Sequence, residues 1–160
     1  MKLCQTVLLL ILLTGCTVSS VPVKVHFCAV EDCTSVLVKE LLNGRESIYF
    51  MAYSFTDKSI ADALIKQSGY ITVQGVIEKQ RISQPYNKFN YMREQGVNVI
   101  TDKNPATMHH KVFIIDEKTI VTGSFNPTKS ANEANDENMV IIRDKDIALE
   151  YLTEFNRVIS

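Results

Sequence analysis

The chain has 160 residues, of which 46% are hydrophobic, so it can bury one substantial core but is too short for two ordinary domains. Its 17 basic and 18 acidic side chains give a formal net charge of −1, which excludes a global field that would draw the protein to nucleic acid or to an anionic membrane. Any attraction to phosphate groups must therefore come from a local cluster of residues.

The N-terminal residues have the pattern of an export signal. An uninterrupted apolar run at 7–13 follows Lys2, and it is shorter than the roughly 20 residues of a membrane-spanning helix. The next residues, Leu-Thr-Gly-Cys, resemble the lipobox of prokaryotic lipoproteins, which implies cleavage before Cys16 and lipidation of its sulfur. We therefore expect a lipoprotein-type signal peptide at 1–15, a tether at 16–22, and a globular domain at 23–160 that is exported and held at the cell envelope by a lipid anchor. An ordinary secretory signal and a secreted product are the alternative.

Cys28 and Cys33 are the two cysteines left in the exported domain. A cysteine pair in an exported protein normally forms a disulfide. The alternative is a zinc site, but with only His26 nearby the two thiolates fall short of the four ligands that a structural zinc takes. We favour the disulfide.

As far as residue 100, strand patterns alternate with helix patterns. The predicted strands are 23–27, 47–55, 71–73 and 97–100. The predicted helices are 36–42, 57–67 and 85–95. Such alternation predicts the α/β class, in which helices cover the faces of a central sheet whose strands are apolar on both sides.

The pattern changes after residue 108, where strands follow one another. Segments 111–115 and 119–121 are predicted to form a hairpin through the turn Asp116-Glu117-Lys118. A further strand is predicted at 138–142 and a terminal helix at 147–158.

Four basic residues and no acidic residue occur between residues 79 and 93. They are Lys79, Arg81, Lys88 and Arg93. Such a cluster can line a groove for a polyanion, but it is equally consistent with a solvated loop and helix face, since Glu78 and Glu94 bracket it. The sequence favours neither interpretation.

His109 and Lys111 are the candidate reactive pair. Alternate side chains of a strand share a face, so these two residues point the same way and His110 points away. A fixed ammonium beside a neutral imidazole suits attack on a phosphodiester, because the cation holds the anion while the histidine acts as a nucleophile without a metal. No metal site is expected, because His109 and His110 diverge and no carboxylate pair accompanies them.

Three further side chains have groups suited to the same chemistry. Ser124 and Asn126, after the second hairpin strand, offer a hydroxyl and an amide to phosphoryl oxygens. A nucleophilic histidine also needs its second ring nitrogen held, normally by a carboxylate. Glu137, just before the strand at 138–142, is the candidate for that role.

At these positions the chain resembles the HKD motif of the phospholipase D superfamily. The residues that carry the resemblance are His109, Lys111, Asp116, Gly123, Ser124 and Asn126. Similarity that weakens upstream extends over about residues 25–158 and is to the small single-motif members, the bacterial endonucleases and the mitochondrial cardiolipin hydrolase-like nucleases. It implies an α/β/α sandwich with a central mixed sheet, one motif per chain, no cofactor, and a covalent phosphohistidine.

The resemblance also implies roles for these residues. His109 would attack in one protomer and protonate the leaving oxygen in the other, so that a homodimer shares its active site. Lys111, Ser124 and Asn126 would hold the phosphate and Glu137 would orient the imidazole. Asp116 belongs to the catalytic motif, but its offset of five residues from Lys111 favours an anchor for the turn or the dimer.

The expected function is metal-independent phosphodiester hydrolysis, with a nonspecific endonuclease acting on DNA or RNA as the first hypothesis. A phospholipase D-type hydrolase of phospholipid headgroups is the alternative, because the lipid anchor would bring the site to that substrate. A noncatalytic nucleic-acid-binding module is the third possibility, since a fold alone does not fix a function.

Overall fold

The computed structural model describes residues 20–160, which form seven strands and five helices. The strands are β1 (Val23–Phe27), β2 (Ser47–Ala52), β3 (Thr72–Ile77), β4 (Asn98–Thr101), β5 (Lys111–Ile115), β6 (Thr119–Gly123) and β7 (Asn138–Arg143). The helices are α1 (Cys33–Leu42), α2 (Lys58–Ser68), α3 (Phe89–Glu94), α4 (Lys129–Glu133) and α5 (Lys145–Ile159). The proposed signal peptide and Cys16 lie outside the described residues.

All seven strands belong to one mixed sheet, in the order β1-β7-β6-β5-β2-β3-β4. The pairs β2–β3 and β3–β4 are parallel, because a helix-containing crossover joins each of them. The other neighbours are antiparallel, and β5 and β6 form the predicted hairpin. The predicted α/β class and the mixed central sheet are confirmed.

Helices cover both faces of the sheet. On one face α1 and α2 bury Leu37 and Leu64 against Phe50 and Phe113, whose rings stack 5.8 Å apart. On the other face α5 places Phe155 against β2, at 5.3 Å from the Tyr49 ring. Full burial of such a side chain stabilises the fold by about 1.5–3 kcal/mol. The molecule is therefore the three-layered sandwich that the sequence predicted.

The turn from β1 into α1 is fixed by two local features. The Asp32 carboxylate accepts a hydrogen bond from the Ser35 backbone N–H at 3.0 Å, so α1 begins at Cys33 and not at residue 36 as predicted. A disulfide joins Cys28 to Cys33 across the same turn. The end of β1 is thereby tied to the first helix.

The predicted helix at 85–95 is wrong in its first half, because α3 begins only at Phe89. Tyr86 has a φ of 67°, which a right-handed helix does not allow. The Asn87 side chain then accepts a hydrogen bond from the Phe89 N–H at 2.8 Å. Residues 79–88 are consequently a turn-rich loop.

Other bounds also differ from prediction. β3 continues to Ile77. The short helix α4 was not predicted. Its N-terminal cap is the Thr128 hydroxyl, which accepts a hydrogen bond from the Ala131 N–H at 3.2 Å. In the region 20–160, no helix is both long enough and apolar enough to cross a membrane.

Candidate active site

Five of the six predicted catalytic and phosphate-binding residues lie at one edge of the sheet: His109, Lys111, Ser124, Asn126 and Glu137. β2, β3 and β6 end at this edge, and β5 and β7 begin there, because of the register in which these strands pair. His109 lies just before β5, and the backbone N–H of Tyr53 donates to the His110 carbonyl at 3.0 Å. The pairing of β2 with β5 therefore continues past the strand ends and holds the histidine segment in place.

Lys111 lies directly beside the imidazole of His109. Its Nζ is 3.1 Å from Nδ1 and 3.2 Å from Nε2 of the ring, and it donates a hydrogen bond to the His109 carbonyl at 2.9 Å. Lys111 is 9% exposed, whereas His109 faces solvent. The predicted pair thus combines an accessible imidazole with a fixed, nearly buried ammonium.

An aromatic ring and a second cation complete the surroundings of His109. The Tyr53 ring, which follows β2, lies 4.3 Å from the imidazole, centroid to centroid. The guanidinium of Arg81 lies 4.2 Å from the Tyr53 centroid, and Lys111 Nζ lies 4.9 Å from it. Of the four basic residues of segment 79–93, Arg81 is thus brought beside the site.

Burial and positive charge both favour neutral His109. Partial burial of the ring, followed by the charges of Lys111 and Arg81, holds the pKa of His109 below its ordinary value. Burial also lowers the pKa of Lys111, while the nearby Glu137 carboxylate acts in the opposite direction. A neutral imidazole is the form that can act as a nucleophile.

Ser124 and Glu137 meet on the same edge. The Ser124 hydroxyl donates a hydrogen bond to Glu137 Oε2 and accepts one from the Asn138 N–H at 3.1 Å. The other carboxylate oxygen, Oε1, accepts from the Asn135 amide at 3.1 Å. Within residues 20–160, Glu137 is therefore bonded to Ser124 and Asn135, and not to the His109 ring that it was expected to orient.

Asn126 is half-buried in the loop after β6, where the Pro127 carbonyl accepts hydrogen bonds from the Thr56 and Asp57 N–H groups at 2.9 Å. The buried side-chain oxygen Oδ1 of Asn126 lacks a hydrogen-bond partner in the described part of the chain. The expected contact of Asn126 with a phosphoryl oxygen would use the donor of the same amide, Nδ2.

Asp116 lies at the opposite end of β5 from His109, roughly 20 Å away for an extended chain of that length. Its Oδ1 accepts from the backbone N–H groups of Arg45, Glu46 and Ser47 at 2.9, 2.7 and 3.2 Å. The residue is buried and has a φ of 52°. The structure thus separates Asp116 from the other predicted catalytic residues and places it where it anchors the start of β2.

Glu78 is a buried carboxylate that sequence analysis did not single out. It follows β3, is 0% exposed, and accepts from the Met108 N–H at 2.6 Å and the Gln80 N–H at 3.1 Å. It thereby fixes the residue just before His109. Like Tyr53, it directly follows the last residue of a strand in the structure, but the predicted strands 47–55 and 71–73 did not end at these positions, so the sequence pattern did not mark either residue.

His110 points away from the site, as alternation predicted, and its Nε2 lies 2.9 Å from the Glu154 carboxylate on α5. Among the residues that the structure describes, no group of three or more His, Cys, Asp or Glu side chains is arranged to hold a metal ion. The groups that the described residues place at the edge are the imidazole, the ammonium, the hydroxyl, the amide and the carboxylate.

Comparison with known proteins identifies the family of this chain. The family model "Cardiolipin synthase, PLD-like domain" matches residues 37–159. Phospholipase D of Rickettsia conorii is 36% identical over 121 residues, which cover 75% of this chain and 60% of the relative. The human mitochondrial cardiolipin hydrolase is 31% identical over 130 residues, which cover 80% of this chain and 51% of the relative. The chain thus spans only part of the length of these curated relatives.

Among solved structures, the phospholipase D family member Nuc from Salmonella typhimurium superimposes with a TM-score of 0.81 at 31% identity. The match covers 87% of this chain and 94% of Nuc. The family model, the sequence relatives and the shared fold all identify the same superfamily. The chain belongs to the phospholipase D superfamily, in its single-domain branch.

Proposed function

We propose that this protein hydrolyses phosphodiester bonds with His109 as the nucleophile. The observation that carries the proposal is the position of Lys111 Nζ, 3.1 and 3.2 Å from the two ring nitrogens of His109. An ammonium at that distance can hold a phosphoryl oxygen beside the attacking nitrogen. The low pKa of His109 supplies the neutral imidazole that the attack requires.

The reaction proceeds in two steps. The imidazole nitrogen attacks phosphorus, a P–N bond forms, and the P–O bond to the leaving group breaks as its oxygen takes a proton from a second imidazolium. That second imidazole, now neutral, takes a proton from water. The water oxygen then attacks phosphorus, and the P–N bond breaks to release a phosphomonoester and free His109.

The second imidazole comes from another copy of the chain. In residues 20–160, the histidines other than His109 are engaged elsewhere: His26 bonds to Glu31 and His110 to Glu154. A two-fold axis that brings together two of these sheet edges would place two copies of His109 face to face. We therefore include a homodimer with a shared active site in the proposal.

Nucleic acid is the proposed substrate class. Arg81 is held 4.2 Å over the Tyr53 ring, next to His109, and belongs to the basic segment 79–93. Its guanidinium is available to a neighbouring phosphate of a polyanion, which DNA and RNA supply and a single phosphodiester does not. Phospholipid is the second candidate, favoured by the names of the relatives, phospholipase D and cardiolipin hydrolase.

The test is a parallel assay of the full-length protein on plasmid DNA, single-stranded RNA and vesicles of phosphatidylcholine with cardiolipin. His109→Ala should lower turnover by at least about 1,000-fold, whereas His110→Gln, the matched control beside it, should stay within a few-fold of the native protein. EDTA should leave the activity in place. Turnover of vesicles alone would move the proposal to phospholipid, and turnover of none of the three substrates would refute it.

We also propose that the mature protein is exported and anchored through lipidated Cys16. The support is the apolar run at 7–13 followed by Leu-Thr-Gly-Cys. Labelled palmitate should enter the native protein expressed in a bacterium but not the Cys16→Ser variant. Equal labelling of both would contradict the lipid site.

A further inference from the structure

We propose that Tyr53 is a positioning residue that fixes the plane of the His109 imidazole, and that Arg81 holds Tyr53 in place. The inference rests on the proposed function, because it concerns how His109 is aligned for attack. It assigns a role to an aromatic ring outside the HKD motif and gives Arg81 a part other than attraction of a polyanion.

The first step is that His109 needs a restraint. The residue lies before β5, and its side chain faces solvent. An exposed imidazole turns about two side-chain bonds, and each conformer aims its nitrogens differently. Lys111 restrains the ring at 3.1 and 3.2 Å from its nitrogens, but an ammonium is a point charge and leaves the tilt of the ring free.

The second step is that Tyr53 supplies the missing surface. Its ring centroid lies 4.3 Å from that of His109, with 59° between the planes. This is a close tilted packing of the kind that aromatic pairs prefer. A flat ring at this distance excludes imidazole conformers that would enter its volume.

The third step is that Tyr53 is itself held firmly. Its backbone N–H donates to the His110 carbonyl at 3.0 Å, which joins it to the residue next to His109. Its ring lies under two cations, Arg81 at 4.2 Å and Lys111 Nζ at 4.9 Å from the centroid. Cation–π contacts of this length fix a ring without a hydrogen bond to its hydroxyl. Arg81 therefore acts on His109 through the face of Tyr53.

A positioning role and a packing role for Tyr53 predict different kinetic effects of its substitution. A loose imidazole still binds a phosphodiester through Lys111 but is aligned for attack less often, so kcat falls while KM stays nearly constant. A role confined to packing would lower stability and leave kcat per folded molecule unchanged. The ring is required and the hydroxyl is not, so phenylalanine should replace tyrosine.

The experiment compares Tyr53→Leu, Tyr53→Phe and Arg81→Met with the native protein. We expect Tyr53→Leu to lower kcat by roughly 10- to 100-fold, with KM within about threefold, and Tyr53→Phe to stay within about threefold of native kcat. The ¹H–¹³C resonances of the His109 ring, recorded without substrate, should lose the ring-current shift in Tyr53→Leu and keep it in Tyr53→Phe. Folding of each variant is checked by thermal unfolding.

Arg81→Met carries the test if Tyr53→Leu does not fold, because residue 81 lies in the loop after β3. Its expected effects are a kcat roughly three- to tenfold lower and shifted His109 resonances. Native kcat in folded Tyr53→Leu or in folded Arg81→Met would overturn the proposal. A native protein without phosphodiesterase activity would instead refute the proposed function, while the His109 resonances in Arg81→Met, which keeps the Tyr53 ring, would still report whether Arg81 holds that ring against His109.

Discussion

At the scale of single residues, the reactivity proposed for His109 depends on the charged groups around its ring. Partial burial lowers its pKa most, the charges of Lys111, Arg81 and His110 lower it further, and Glu78 acts in the opposite direction. Burial disfavours the imidazolium because the charged form loses hydration, and the cations disfavour it by repulsion. The neutral ring therefore persists to a lower pH than in an unperturbed histidine.

The pH dependence of hydrolysis should reflect this environment. The neutral imidazole is lost as pH falls through the pKa of His109, so the acid limb of kcat/KM should lie below pH 6.5, the ordinary histidine value. Arg81→Gln removes one repelling charge, raises the pKa of His109 and should move the acid limb to higher pH. In the proposed homodimer the two copies of His109 titrate as a coupled pair, so the acid limb reflects both imidazoles. A limb that moves to lower pH in Arg81→Gln would contradict the assignment.

The residues of one motif were accessible to sequence analysis, but their neighbours from other strands were not. His109 and Lys111 are two positions apart, so strand alternation alone brings them together. Tyr53 and Arg81 reach the imidazole only because β2 pairs with β5 and β3 pairs with β2 in a particular register. Register and crossover direction are properties of the whole sheet, which local periodicity does not determine.

At the scale of secondary structure elements, β5 has a reactive end and an anchoring end. All five of its residues are buried, so both faces of the strand pack into the core. His109 precedes β5 at one edge. At the other edge the Asp116 carboxylate accepts hydrogen bonds from three backbone N–H groups, two in the turn before β2 and one at its first residue. The contacts of Asp116 with the start of β2 fix the register in which β2 pairs with β5. That register places Tyr53, just after β2, beside His109.

Asp116→Asn should therefore lower stability and not kcat. Burial raises the pKa of Asp116, but the N–H groups of Glu46, Arg45 and Ser47 outweigh it, so the pKa lies below the ordinary 3.8. Such a carboxylate stabilises the fold above pH 3.8, and this contribution disappears as pH falls through the lowered pKa. We expect the variant to lose about 1–3 kcal/mol of unfolding free energy at neutral pH, measured by urea denaturation.

The matched control is Glu117→Gln in the same turn, which should change the unfolding free energy by no more than about 0.5 kcal/mol. Both variants, measured where they are fully folded, should keep native kcat. A large fall of kcat in folded Asp116→Asn would return this residue to the catalytic machinery.

Element bounds were predicted best where apolar periodicity and a cap agree, as in α2, whose cap Asp57 accepts from the Ile60 N–H at 3.1 Å. The predicted bounds are wrong where the backbone conformation is incompatible with the helix that the apolar pattern predicts. The segment before α3 has helical spacing, but the positive φ of Tyr86 prevents a helix there. Helix α4 has one buried apolar residue, Ala131, so no periodic signal marked it.

At the scale of the whole molecule, one chain supplies only part of the proposed site. One sheet edge carries the imidazole, the ammonium and the Ser124–Glu137 pair, and the Asn126 acceptor has no donor within the described residues. In the proposed mechanism both the nucleophile and the general acid are imidazoles. Since His109 is the one histidine that residues 20–160 place at this edge, the proposed site contains two chains.

This requirement predicts how activity depends on dilution with an inactive variant. If native and His109→Ala chains are unfolded together in equal amounts and refolded, random pairing makes about a quarter of the dimers fully native. Activity should then be about a quarter of that of native protein at the same total concentration, because a mixed dimer has one imidazole and cannot both attack and protonate. Independent protomers would retain about half. The matched control mixes His110→Gln with native chains and should keep full activity. If the mixture with His109→Ala kept about half of the native activity, each chain would work alone.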